Sequence, residues 1–467
     1  MYILSIYIFF HILIRLLLSD TLQVDDREQV ILANKLSLGY AMPQPPLYTW
    51  VLWVLFQIFG SSLFILTIFK YFLLFGSYVF IWKISNKIYK DSDLKELCFY
   101  SYLMMPSFFW HIHQGFTHTA LLGFAITFTL YYFLKTKESP SLINFFILGT
   151  AISIGFLSKY SYILFFVPLF LAGFILKEYR DIYIYNKKAL IALVPILVIV
   201  TPHLLWLIDN FNEIYSQANS KLEITKIEGN PLVNIYTLII SSIGFITPLF
   251  FFYIYFFIKR NRAANTEILC QERKLFNNFF IVIIFSILLF FTFFNIPQVK
   301  VRWLHPILMV LPFWFFAFFA FTPNGLEKGK KIFFSFLIFL SILIVLIRVT
   351  QTTIGPNLGI YGRLNVPVTE TLRKIPLDIL EESSILFKDY TIAAHGILLF
   401  KSNVNFFKGE KYNTKNNKIE KNCIIIDSKP FSSNGKSSIS LNSNKGGFKY
   451  TIYYSYISRQ CSDYFLT

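Results

Sequence analysis

Apolar runs of about twenty residues recur along this chain, and each is long enough to cross a bilayer as a helix. No other feature limits the fold so tightly. Inside hydrocarbon every backbone N–H and C=O must be paired within its own segment, so such runs fold as helices. The composition agrees: 55% of the 467 residues are hydrophobic and only 15% are charged, against roughly 25% in soluble domains. The chain reads as an all-α polytopic membrane protein. The first run, 2–18, has no basic start and no small-residue cleavage site, so it is an uncleaved span rather than a signal peptide.

The runs fall near 2–18, 61–82, 97–112, 119–134, 142–157, 163–176, 189–207, 232–258, 276–294, 304–321 and 332–347, about eleven spans at bilayer length. Basic residues gather in alternate loops: Lys83 to Lys95, Lys135 and Lys137, Lys177 to Lys188, Lys259 to Lys274, and Lys328 to Lys331. Those loops are cytoplasmic by the positive-inside rule. The net charge of +17 is thereby a statement about membrane sidedness, and it does not imply nucleic acid. An odd number of spans puts the C-terminus on the extracytoplasmic side.

One polar stretch interrupts this pattern near the N-terminus. Residues 20–60 carry Asp25, Asp26 and Glu28 directly after an apolar run. Carboxylates at a membrane boundary are costly unless they are solvated or serve chemistry. A short helix is expected from Asp25 to Leu38, stopped by Gly39. Pro45-Pro46 opens a second helix, to about Ile58, whose Tyr48, Trp50 and Trp53 suit the interface. Read as a full span, that helix would invert everything downstream.

Beyond about residue 350, Asn, Lys, Ser and Gly replace Phe and Leu. The chain divides into a membrane domain, 1–349, and a small α/β extracytoplasmic domain, 350–467. Within the latter, 391–400 and 423–426 read as strands, 372–387 as a place for helix, and 432–447 as a flexible loop. Cys423 and Cys461 either pair in an oxidising compartment or stay as two thiols.

Several islands resemble, in order, the family 39 glycosyltransferases. That family includes the dolichyl-phosphate-mannose protein mannosyltransferases, with the aminoarabinose transferases as relatives. The islands are Asp25-Asp26, Leu38-Gly39-Tyr40, Gln44-Pro45-Pro46-Leu47, Phe59-Gly60, Gly155 to Tyr160, Thr201 to Trp206, and Lys300 to Trp303 with Pro306. The likeness covers roughly residues 1–347 as islands, not as continuous identity. It departs from the family at Asp26, where Glu is usual, at Gln44, where Lys or His is common, and at 117–119, where many members carry Asp. The resemblance implies a GT-C fold and a polyprenyl-phosphate-sugar donor. The sugar would pass to a lipid, glycan or protein acceptor, with inversion.

Such a transfer needs a carboxylate to take a proton from the acceptor hydroxyl and cations to hold the leaving phosphate. The resemblance assigns Asp25 as the base, Asp26 second, with Glu28 one turn from Asp25. Helix capping and solvation would explain the same acids without chemistry. Lys159, with Tyr160, Gln44, Lys300 and Arg302, would hold the donor. Snorkelling alone would account for Lys159, and headgroup anchoring for Lys300 and Arg302. A divalent cation on Asp25, Asp26 and His118 stays open as an alternative. His111, His113 and His118 do not share one helical face, and His203 and His305 receive no role.

Two other classes compete. A transporter or flippase for lipid-linked sugars would place its polar groups near the bilayer midplane, where this chain is nearly free of charge. A structural assembly protein would tolerate loss of Asp25. No Gly-rich phosphate loop, nucleophile elbow or H-E-x-x-H sequence is present. The Phe-, Ile-, Lys- and Asn-heavy usage suggests an AT-rich bacterial genome, and with it the inner membrane, with the acids facing outward.

Overall fold

The computed structural model describes residues 2–40, 42, 44–222, 231–259, 270–293, 301–318, 323–376, 384–400, 404–406, 423–433, 436–445 and 448–457. They form two compact units. One comprises 1–36, 49–69 and 345–467, and the other comprises 37–48 and 70–344. The C-terminal segment shares a unit with the first helix and the acidic stretch.

The chain is a helical membrane protein. Among the described residues, four helices are long and apolar enough to cross a bilayer, or six if each of two bent pairs counts as one span. Shorter apolar helices add to these, among them Tyr2–Leu18 and Leu142–Ser158. Several expected spans are broken. The 97–112 run divides into a helix Ser92–Ser101, a 3₁₀ turn, and a π-helical turn Ser107–His111. Pro106, which lacks an N–H, stands at the break. The 232–258 run bends by 92° between Ile246 and Leu249, and the 304–321 run is interrupted at Met309 and Val310. The expected polar loop after 209 contains a helix, Phe211–Leu222.

In the first unit, α1 (Tyr2–Leu18) leads to α2 (Val24–Leu32), and α3 runs over Leu47–Phe59. Helix α2 stops at Leu32 and not at Leu38. Ala33 closes it by donating its N–H to the Gln29 carbonyl. Thr49 of α3 donates its hydroxyl to Gln29 Oε1 over 2.8 Å. The last long helix, Pro323–Thr353, contributes Arg348, whose Nη1–H donates to His11 Nδ1 at 2.8 Å.

The C-terminal part is a mixed five-stranded sheet in the order β2-β1-β3-β7-β6. Strands β1 (Ser384–Phe387), β2 (Val404–Phe406) and β3 (Cys423–Asp427) run parallel, and β7 (Phe448–Ile457) and β6 (Ile439–Lys445) are antiparallel. Between β1 and β2 lies a helix, Tyr390–Phe400, where the sequence suggests a strand. Parallel neighbours need a crossover, and Asp389 starts it by accepting the Ile392 N–H at 3.0 Å. Short apolar runs are ambiguous between helix and strand; this cap was the overlooked signal.

Two further expectations change. Residues 384–387, placed in helix by the sequence, form β1. The segment 432–447, read as a loop, contributes β4 (Ser432–Ser433), β5 (Lys436–Ser437) and β6, because β7 offers β6 a full antiparallel edge. Cys423 is disulfide-bonded, which removes the free-thiol alternative for it; Cys461 lies outside the described residues. The core joins Val368, Leu372, Ile385, Phe387, Ile392, Ile424, Ile426 and Ile452, and Ile31 of α2 packs against it.

Candidate active site

In the first unit the three acids of the DDxE stretch part company. Helix α2 begins at Val24, so Asp25 and Asp26 occupy its first turn, where the helix dipole favours negative charge. Successive positions on a helix are turned by about 100°. Asp26 therefore turns inward and is 3% exposed, while Asp25 and Glu28 share a partly exposed face.

The inward partner of Asp26 is Arg15, 1% exposed, at 3.8 Å. Arg15 also donates Nη1–H to the Ser19 carbonyl at 2.8 Å and Nη2–H to the Thr21 carbonyl at 2.7 Å. A buried guanidinium beside a carboxylate and two accepting carbonyls is a paired charge. The sequence carried the signal for it, an arginine inside the first apolar run, but its role stayed unread.

The acidic stretch is also tied to the sheet domain. Ser19 and Thr21 donate their hydroxyls to the carbonyls of Leu364 and Val366, each at 2.7 Å. Arg27 donates Nε–H to the Leu22 carbonyl at 3.1 Å and Nη1–H to Thr391 Oγ1 at 2.9 Å. Burial, then the nearby Arg363, lowers the Arg27 pKa, while Tyr450, Asp389 and Asp26 oppose the shift. Tyr390 is raised, first by burial and then by Glu28, with Asp25 adding to it. Tyr390 therefore stands within electrostatic reach of both partly exposed acids.

In the second unit, three of the sequence islands meet. Helix Leu142–Ser158 ends at Lys159, whose ammonium donates to Thr119 Oγ1 at 3.1 Å. His118 Nδ1 lies 3.3 Å from the Ser158 carbonyl, and Tyr48 packs against the His118 ring at 5.7 Å between centroids. Tyr160 meets His203 Nε2 at 3.0 Å, and His203 Nδ1 meets the Leu38 carbonyl at 3.0 Å. A carbonyl can only accept, so Nδ1 carries the proton and Nε2 accepts from Tyr160. His203, given no role in the sequence, thus links two of those islands.

Close approach explains two glycines here. A Cβ on Gly39 would overlap the Trp206 ring, and one on Gly155 would overlap the Tyr162 ring. Before Thr119 the backbone is strained: Phe116 has φ 58°, a conformation that costs a bulky residue about 1–3 kcal/mol.

Of the remaining candidates, Gln44 has a buried Oε1 with no hydrogen-bond partner among the described residues. Arg302 stands in a 3₁₀ turn, Val301–Leu304, its side chain outside the described set. Lys300 lies outside the described residues. No group of three His, Cys, Asp or Glu among the described residues is placed to hold a metal ion.

Comparison with known proteins gives these halves a context. Residues 43–206 match the family described as dolichyl-phosphate-mannose-protein mannosyltransferase. The lipopolysaccharide core galacturonosyltransferase RgtA of Rhizobium johnstonii is 29% identical over 378 residues, 80% of this chain and 75% of that protein. Its sister RgtB is 28% identical over 402 residues, 82% and 79% respectively. The crystal structure of ArnT from Cupriavidus metallidurans bound to undecaprenyl phosphate superimposes with a TM-score of 0.59 over 97% of both chains, at 11% identity. At that identity the likeness speaks for the fold, and the fold is GT-C. The sequence islands, the matched family and the helical architecture converge: this chain has the GT-C fold and is similar to family 39-like membrane glycosyltransferases.

Proposed function

We propose that the protein transfers one sugar from a polyprenyl-phosphate donor to a glycan acceptor at the extracytoplasmic face of a bacterial inner membrane. The relatives named above support a galacturonosyl group as the sugar and a lipopolysaccharide core as the acceptor. The single observation that carries the reading is the sorting of the acids. Asp26 is buried beside Arg15, while Asp25 and Glu28 lie on a partly exposed face of α2.

In this reading the Asp25 carboxylate takes the proton from the acceptor hydroxyl. The acceptor oxygen attacks the anomeric carbon, and the carbon–oxygen bond to the phosphate breaks with inversion. Polyprenyl phosphate leaves with the bond's electron pair. Lys159 neutralises phosphate charge, Tyr160 assists it, and Lys300 and Arg302 add cationic donors able to grip phosphate oxygens. Gln44, whose Oε1 has no hydrogen-bond partner among the described residues, accepts a hydrogen bond from the sugar. Glu28 supports Asp25 electrostatically.

The test uses the full chain in nanodiscs with undecaprenyl-phosphate-linked [¹⁴C]galacturonic acid and purified lipopolysaccharide core. The wild type should transfer label with inverted anomeric configuration, read by NMR of the product. Transfer by Asp25→Asn at the wild-type rate, or retention of configuration, would overturn the mechanism.

A further inference from the structure

His395 sits on the crossover helix Tyr390–Phe400 of the sheet domain and is 2% exposed. Its Nδ1–H donates to the Thr391 carbonyl at 2.7 Å, one turn back on its own helix. That fixes the tautomer, leaving Nε2 as an acceptor. The Leu22 N–H donates to Nε2 at 2.9 Å. Leu22 stands two residues before the first residue of α2, and Gln23 between them provides no side-chain cap. A membrane-side chain segment is thus held by a histidine more than three hundred positions away.

We propose that His395 is a positioning residue for the acidic helix: its neutral imidazole anchors the backbone that leads into α2 and so sets the direction of Asp25. The inference rests on the reading of Asp25 as the base. The neighbouring bonds make the anchor directional. Arg27 ties the Leu22 carbonyl to Thr391 Oγ1, so N–H and C=O of one residue are both bound to the same helix turn. Ser19 and Thr21, bound to Leu364 and Val366, hold the segment just upstream. Arg15, from α1, holds its carbonyls from the other side. With the approach to α2 fixed at both backbone groups, the helix cannot rotate about its axis without breaking them.

The charged groups facing the imidazole are consistent with a neutral ring at neutral pH. Burial leads the depression of its pKa to about 4, and Arg27 and Arg15 add to it. The Thr391 carbonyl and Asp20 pull the other way.

The test compares two buried amides. In His395→Gln, Oε1 reaches the place of Nε2 and accepts the Leu22 N–H. In His395→Asn, Oδ1 falls short. Both are measured in the full chain in nanodiscs with undecaprenyl-phosphate-linked galacturonic acid and lipopolysaccharide core, alongside Asp25→Asn. His395→Asn should lower kcat about 100-fold, since displacement of a reacting group by about 1 Å has that cost, with donor KM within about twofold. His395→Gln should restore kcat to within about threefold of wild type. Equal kcat for the two amides, whether high or low, overturns the positioning role. Undiminished transfer by Asp25→Asn would instead overturn the reading of the base, so the two failures are distinguishable.

Discussion

The two regions that hold the candidate residues solve one problem in different ways. Around α2, polar groups are held by other polar groups: Arg15 grips Asp26 and two carbonyls, and His395 and Arg27 bracket Leu22. Around Lys159, rings and close packing do most of the holding, with Trp206 over Gly39, Tyr162 over Gly155 and His203 between Tyr160 and Leu38. The first region belongs to a unit with a sheet domain, which can supply hydrogen-bonding backbone from outside the bilayer. The second is built from membrane helices whose backbones are already paired internally. There, shape has to substitute for hydrogen bonds.

This contrast can be broken by experiment. The largest effect is expected at Asp25: Asn there should lower kcat by about 10³-fold, within the range for loss of a general base, with an unchanged melting temperature. In the same region, Arg15→Met leaves Asp26 as an uncompensated buried charge and should destabilise by about 3–5 kcal/mol. Adding Asp26→Leu should recover much of the lost melting temperature. If it does not, the pair is not what holds the segment.

In the other region, Lys159→Met should raise donor KM by about 10–100-fold while sparing kcat, as loss of one charge-assisted contact implies. Gly39→Ala should impair transfer through the Trp206 clash, and Trp206→Leu should partly rescue it. Rescue would confirm that packing, not the glycine's own backbone, is at stake.

The smallest effect concerns pH. His395 has its folded pKa lowered from 6.5 to about 4. Between those values the unfolded chain binds the proton and the folded one does not. Stability from this group is therefore full above about pH 6.5 and falls as pH drops toward 4, by a few kcal/mol at most. His395→Gln should flatten the melting-temperature profile in that window. A profile that stays unchanged would mean that His395 titrates normally.

Much of the architecture could be read directly. Apolar runs at bilayer length and a one-sided charge bias point to membrane helices, since those signals depend only on local composition. The islands at Asp25, Lys159 and Trp206 were legible through their resemblance to a family. The βαβ crossover was not, because 391–400 is too short for periodicity to separate helix from strand. The breaks inside expected spans were missed for a related reason. Hydropathy counts apolar residues and is blind to where the backbone changes direction.

The sequence by itself determined that the chain enters a membrane, that its acids cluster after the first apolar run, and that a polar segment follows the last. Only the tertiary structure decided that Asp26 is buried beside Arg15 while Asp25 and Glu28 are partly exposed, and that His395 reaches back to Leu22. Such pairings join residues hundreds of positions apart. Their energy comes from burial and directional hydrogen bonds that exist only once the segments have been brought together.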